Sequence, residues 1–163
     1  MPARLQIVVI SEGVISANLL REDQTVAPYH GGAYAGVPFV PSIDDFVSSI
    51  QRICSSRADA VVGRLLLVAH GNEKGVTIGN DRLTLESFRK FKPKLAELKL
   101  LFDPIISSVV FQACELGRNP ALLRCLSTVW GGIPVRAYSQ QQHPDEPTGQ
   151  GPSVVCRMST CQM

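Results

Sequence analysis

Apolar positions along this chain come in two rhythms. Runs dominated by apolar residues occur at 5–10 (LQIVVI), 64–69 (RLLLVA) and 107–113 (SSVVFQA), and each predicts a short buried strand. IPVRAYS at 133–139 predicts a further central strand, and SVVCRM at 153–158 a final edge strand. The second rhythm is helical. In 42–57, Ile43, Phe46, Val47, Ile50, Ile53 and Cys54 recur at the spacing of one helix face. Ser42 suits the N-cap, and Asp45 makes a short-armed capping box with it. LESFRKFKPKLAELKLLF at 85–102 predicts a helix that Pro93 should kink or split. NPALLRCLSTVWGG at 119–132 predicts another, with Asn119 as N-cap, Pro120 at the first position and Gly131 past the end.

The remaining segments are punctuated by Gly and Pro. VISANLLRE at 14–22 opens a helix or runs on as a loop, and 25–41 reads as a loop or irregular hairpin. GVTIGNDRLTL at 75–85 carries a hairpin signal around GND. No repeat or linker divides the chain. It reads as a single domain over 1–163, with 140–163 a loop-rich C-terminal extension. Strands alternating with helices predict an α/β three-layer sandwich, a central mostly parallel sheet with helices on both faces.

Composition narrows the function classes. The chain has 163 residues, of which 45% are hydrophobic and 18% charged, an ordinary balance for one globular core. A formal net charge of +2, with scattered Lys and Arg, argues against nucleic acid as a partner. No apolar run approaches the ~20 residues of a membrane span, and no leader pattern opens the chain, so no membrane and a cytoplasmic location are expected. The five cysteines (Cys54, Cys114, Cys125, Cys156, Cys161) are odd in number and irregularly spaced, unlike a disulfide framework. They read as thiols, with Cys54 and Cys125 on apolar helix faces. No ligand spacing for zinc occurs, so no metal and no cofactor are expected.

Chemistry in such sheets gathers at the carboxyl ends of the strands. His70 follows one buried run and Cys114 follows the next. If the two strands are neighbours, about 4.8 Å apart, both side chains emerge on one rim. An imidazole there takes the thiol proton and leaves a thiolate nucleophile. Gly71 permits close backbone approach, and its N–H can face a developing oxyanion. His30, in YHGG, has no buried strand to hold it, and His143 lies in a Pro-rich loop. Trp130 reads as a packing residue.

AHG at 69–71 and FQAC at 111–114 resemble the caspase-like (clan CD) cysteine peptidases, whose signature is Q-A-C-[RQG]-G with a histidine ~50 residues upstream. His70 here lies 44 residues before Cys114. AYS at 137–139 resembles the caspase strand leading to the substrate pockets, and the hairpin after His70 resembles the compact bacterial relatives (CHAT-type or toxin autoprocessing-type domains) more than animal caspases. The likeness covers roughly 5–140. It implies that Cys114 is the nucleophile and His70 the general base. It also implies that the N–H groups of Gly71 and Cys114 form the oxyanion hole, and that Gln112 lines the pocket for the side chain before the cut. The pattern departs where Glu115 and Leu116 replace the usual Arg-Gly, and where no Arg follows AYS.

A cysteine endopeptidase acting on a peptide or protein substrate is therefore expected. Strand alternation places Ser139 nearest the pocket, with Gln112 as its wall. A neutral pocket disfavours aspartate before the cut. Two other functions fit the same residues: an inactive module binding a peptide or partner protein, and a small regulatory or assembly subunit pairing through the edge near SVVCRM.

Overall fold

The computed structural model describes residues 4–14, 33–57, 60–142 and 150–162. The aliphatic runs form the sheet interior. Strands β1 (Arg4–Ser11), β3 (Val61–Val68), β7 (Ser108–Gln112) and β8 (Val135–Tyr138) are parallel neighbours. With β2 (Ala33–Val40), β9 (Ser153–Cys156) and β10 (Cys161–Gln162) they make one seven-stranded sheet, ordered β10-β9-β8-β7-β3-β1-β2. Only the β8–β9 and β9–β10 pairs are antiparallel, so β9 alone runs against the other six strands. A separate three-stranded sheet consists of β4 (His70–Asn72), β5 (Gly75–Ile78) and β6 (Asp81–Thr84).

Side-chain alternation splits the large sheet into two faces. Leu5, Ile7, Val9, Leu65, Leu67, Val109, Phe111, Val135 and Ala137 enter the main core. Helices α1 (Ile43–Ser55), α2 (Phe88–Leu95) and α3 (Pro120–Val129) all bury side chains in that core. Each fully buried Leu or Ile there contributes about 1.5–3 kcal/mol of transfer free energy. The opposite face carries a smaller cluster, Val8, Ile10, Val14, Leu66, Val68 and Val110, with Tyr138 packed on it. The layered α/β architecture with a mostly parallel sheet is thus the one observed. The connection from β1 to β2 falls at 15–32, outside the described residues, so the helix or loop expected at 14–22 and His30 are not placed.

Caps follow the sequence signals. Ser42 Oγ accepts from the Asp45 backbone N–H at 3.0 Å and donates to its carboxylate at 2.8 Å. Asn119 Oδ1 accepts from the Leu122 N–H at 3.1 Å, with Pro120 in the first turn. The helix holding Pro93 continues through it and tightens to a 3₁₀ turn over Ala96–Leu101. Trp130 is buried, stacks on Phe111, tilts against Phe102 and donates from Nε1 to the Leu95 carbonyl at 2.9 Å.

Three expectations need correction. Residues 33–40 are not loop: AYAGVPFV is a parallel strand beside β1. It is the sheet's edge, where Pro38 forfeits no central ladder bond, and its register slips between Val9 and Ser11. Residues 153–156 are not the last strand of the sheet: β9 sits between β8 and the two-residue β10, which is the edge on that side and pairs with Val155 and Cys156. Cys156 is disulfide-bonded rather than a thiol. The β9–β10 hairpin sets it opposite Cys161 in register, a pairing that spacing alone does not reveal.

Candidate active site

Strand register brings the candidate residues to one rim. Val68 and Gln112 are the last register partners of β3 and β7, and the Ala69 N–H donates to the Gln112 carbonyl at 3.2 Å. Two residues beyond each partner come His70 and Cys114. By alternation both continue the parity of Val68 and Val110, the face of the smaller cluster. His70 does not simply end β3; it opens β4, so the chain turns from one sheet into the other there.

That turn is built by glycine and asparagine. A Cβ on Gly71 would stand 3.0 Å from Ala113 Cβ and 3.1 Å from the Cys114 carbonyl oxygen, so a larger residue would press β4 away from the Cys114 segment by a few tenths of an ångström. Asn72 Oδ1 accepts from the N–H groups of Lys74 and Gly75 and from Arg82 Nη2, fixing the β4–β5 turn. The hairpin is anchored in turn. Ser11 Oγ accepts from the Gly79 N–H at 2.7 Å, and Asp81 accepts from the Ile43 N–H at 2.8 Å.

His70 Nε2 lies 3.0 Å from the Gly13 carbonyl oxygen. A carbonyl only accepts, so Nε2 carries the proton and Nδ1 of the neutral ring is bare. Gly13 presents that carbonyl from a left-handed φ of +93° in the turn after β1. Cys114 is half-buried. Its sulfur accepts from the Gln142 N–H at 3.2 Å and lies 3.7 Å from the Gln142 carbonyl. No hydrogen bond joins His70 to Cys114 in this arrangement; each holds a backbone partner instead. Glu115, next to Cys114, adopts a left-handed φ of 56° and donates its N–H to the Gln140 carbonyl at 3.0 Å. Gly117 must be glycine, since a Cβ would come within 2.8 Å of the Tyr138 backbone.

The two expected pocket residues are placed differently from each other. Gln112 is buried and shares the parity of Val110 and Tyr138. Ser139 lies beyond β8; its N–H donates to the Pro152 carbonyl and its own carbonyl accepts from Arg118 Nε at 3.1 Å. On β8 the alternation is as expected, Val135 and Ala137 inward and Arg136 outward, where it bonds to Ser153 Oγ. A mixed-charge cavity of about 530 Å³ flanks the turn after Cys114, lined by Lys74, Arg82, Glu86, Arg118 and Asn119 among others. The exposed Glu86 carboxyl is held below its ordinary range, first by its own backbone N–H, then by the Thr84 hydroxyl.

Of the other cysteines, Cys54 is buried, and burial pushes its thiol up despite the nearby Arg57. Cys125 is only half-buried and lines an apolar groove of about 380 Å³ with Phe88, Val129 and Met158. Among the described residues no three His, Cys, Asp or Glu side chains converge as metal ligands, and no helix is long and apolar enough to cross a membrane. Sequence reasoning missed Gly13 and Gln142. Glycine after a strand is too common to single out, and one Gln among three in a loop carries no pattern.

No protein-family model matches this chain, and no characterised protein matches it in sequence.

Proposed function

We propose that the protein is a caspase-like cysteine endopeptidase acting through Cys114 and His70. The observation that carries this reading is the bond from His70 Nε2 to the Gly13 carbonyl. It fixes the tautomer in which Nδ1 is free to take a proton, the role an orienting group plays in a nucleophile–base pair. In the reaction the Cys114 proton passes to Nδ1, and the thiolate attacks the scissile carbonyl carbon. The oxyanion is held by the N–H groups of Gly71 and Cys114. His70 then returns the proton to the leaving amine, and water hydrolyses the thioester. The missing Cys114–His70 hydrogen bond is compatible with a resting state, since such bonds often tighten only with substrate bound.

The substrate is a peptide or protein, and Cys114 acts as a free thiol. The side chain before the cut is neutral or basic rather than aspartate. Two observations support that preference: Arg136 is engaged by Ser153, and Arg118 is engaged by the Ser139 carbonyl and by Glu115 at 3.5 Å. An inactive binding module is the second reading, favoured by the bonding of the sulfur to Gln142 rather than to His70. A mixed peptide library decides between them. Cleavage by the native protein that vanishes in Cys114→Ala supports the peptidase. No cleavage of any peptide by folded protein moves the weight to the binding module, and strong aspartate preference shows that a guanidinium reaches the pocket.

A further inference from the structure

We infer that Gln142 is a positioning residue for the Cys114 thiolate, an inference that rests on the peptidase reading and adds a third part to its site. Gln142 is a polar side chain only 6% exposed, in a stretch of loop whose neighbour Gln140 is open to water. Burying a primary amide costs free energy unless its donors and acceptor are used. Here they are. Nε2 donates to the carbonyls of Gln140 at 3.0 Å and Gln150 at 2.8 Å, with a longer contact to Gln141, and Oε1 accepts from the Gln150 N–H at 2.7 Å. The amide thus ties both sides of the loop together and to itself.

The consequence falls on the backbone of the same residue. With its side chain locked, the Gln142 N–H has one direction, and that direction is the Cys114 sulfur, 3.2 Å away. The Gln140 carbonyl, which the amide also holds, accepts from the Glu115 N–H. The loop is therefore fastened on both sides of the Cα of Cys114. An N–H donor bonds an anionic acceptor about twice as strongly as a neutral one, so the fixed Gln142 N–H holds the sulfur in place once it is a thiolate, while the Gln142 carbonyl, 3.7 Å from the sulfur, accepts from the thiol beforehand. The proton released goes to His70 Nδ1. The charged groups on the elements that meet here are His70 on β4, and Glu115 and Arg118 after β7, which pair with each other.

Gln142→Met tests this, because it keeps length and volume while removing every side-chain hydrogen bond. Gln142→Ala serves as a second variant, and thermal melting confirms that each is folded. The readout is the alkylation rate of Cys114 by iodoacetamide against pH, followed by peptide mass spectrometry. Both variants should label Cys114 about tenfold more slowly at neutral pH, the loss expected from one hydrogen bond to a charged group. Cys125 labelling should not change. An unchanged Cys114 profile overturns the inference. So does faster labelling at every pH, which would make Gln142 a cover rather than a positioner. His70→Ala in the same assay keeps the two ideas apart. If that variant leaves the profile unmoved, the Cys114–His70 pair fails, whatever Gln142 does.

Discussion

Replacing Gly13 by Ala isolates the contact that orients His70. Gly13 holds φ +93°, and a Cβ built on it meets nothing within 4 Å. The substitution therefore causes no clash; its whole cost is conformational. Holding a non-glycine residue in such a region costs about 1–3 kcal/mol. That energy makes the turn conformer that presents the carbonyl about 5- to 150-fold less populated relative to its competitors. When the turn leaves that conformer, Nε2 loses its acceptor and the ring is free to place its proton on Nδ1. Gly132→Ala is the matched control. It carries a similar φ of +90° with only ordinary contact to Met158, at the far end of α3. Imidazole nitrogen shifts, read by NMR at a pH where the ring is neutral, report the tautomer directly. Native protein and Gly132→Ala should show the Nε2–H form. Gly13→Ala should show a mixture, with peptide hydrolysis reduced through kcat more than KM. Equal stability loss in both variants with an unchanged His70 tautomer would refute the reasoning.

Trp130→Phe should remove the buried indole donor to the Leu95 carbonyl, which keeps its bond within the 3₁₀ turn. It should destabilise by about 0.5–1.5 kcal/mol for that hydrogen bond, a fall in Tm of about 1–6 °C for a chain of this size, read by thermal denaturation; no change would mean that the indole bond contributes nothing. Cys54 gives a pH effect. Its thiol is raised in the folded state, chiefly by burial, so the folded chain keeps a proton that the unfolded chain releases above the ordinary thiol value of 9.0. Stability from this group is full below that value and is lost as pH rises above it through the higher value of the folded thiol. In Cys54→Ala, denaturant melts across the alkaline range should show a shallower decline than in the native protein, and an identical decline would show that Cys54 does not contribute.

The sheet interior was legible because burial on both faces demands runs dominated by apolar residues, and 5–10, 64–69 and 107–113 supply them despite Gln6, Arg64 and Gln112. The helix ends were legible because Ser42 and Asn119 bond the first free N–H groups with their own side chains, a local interaction. Strand β2 was hidden, since Gly36 and Pro38 are breakers in isolation and become tolerable only on an edge. The β9 position and the bond at Cys156 were hidden for a related reason: both depend on which strands neighbour which. His70 and Cys114 could be placed on one rim from chain order alone. What they touch could not, because both partners, the Gly13 carbonyl and the Gln142 N–H, are backbone groups that every residue possesses.

The claim that Cys114 is an activated nucleophile is tested most directly by the relative labelling rates of the free cysteines in native protein. A limiting alkylating probe at neutral pH, quenched over time and resolved by peptide mass, compares Cys114 with half-buried Cys125 and buried Cys54. The two half-buried thiols serve as each other's control for exposure. Cys114 should be modified well before Cys125, and His70→Ala should bring the two rates together. Equal rates in the native protein, or a Cys114 advantage that survives His70→Ala, would contradict the account.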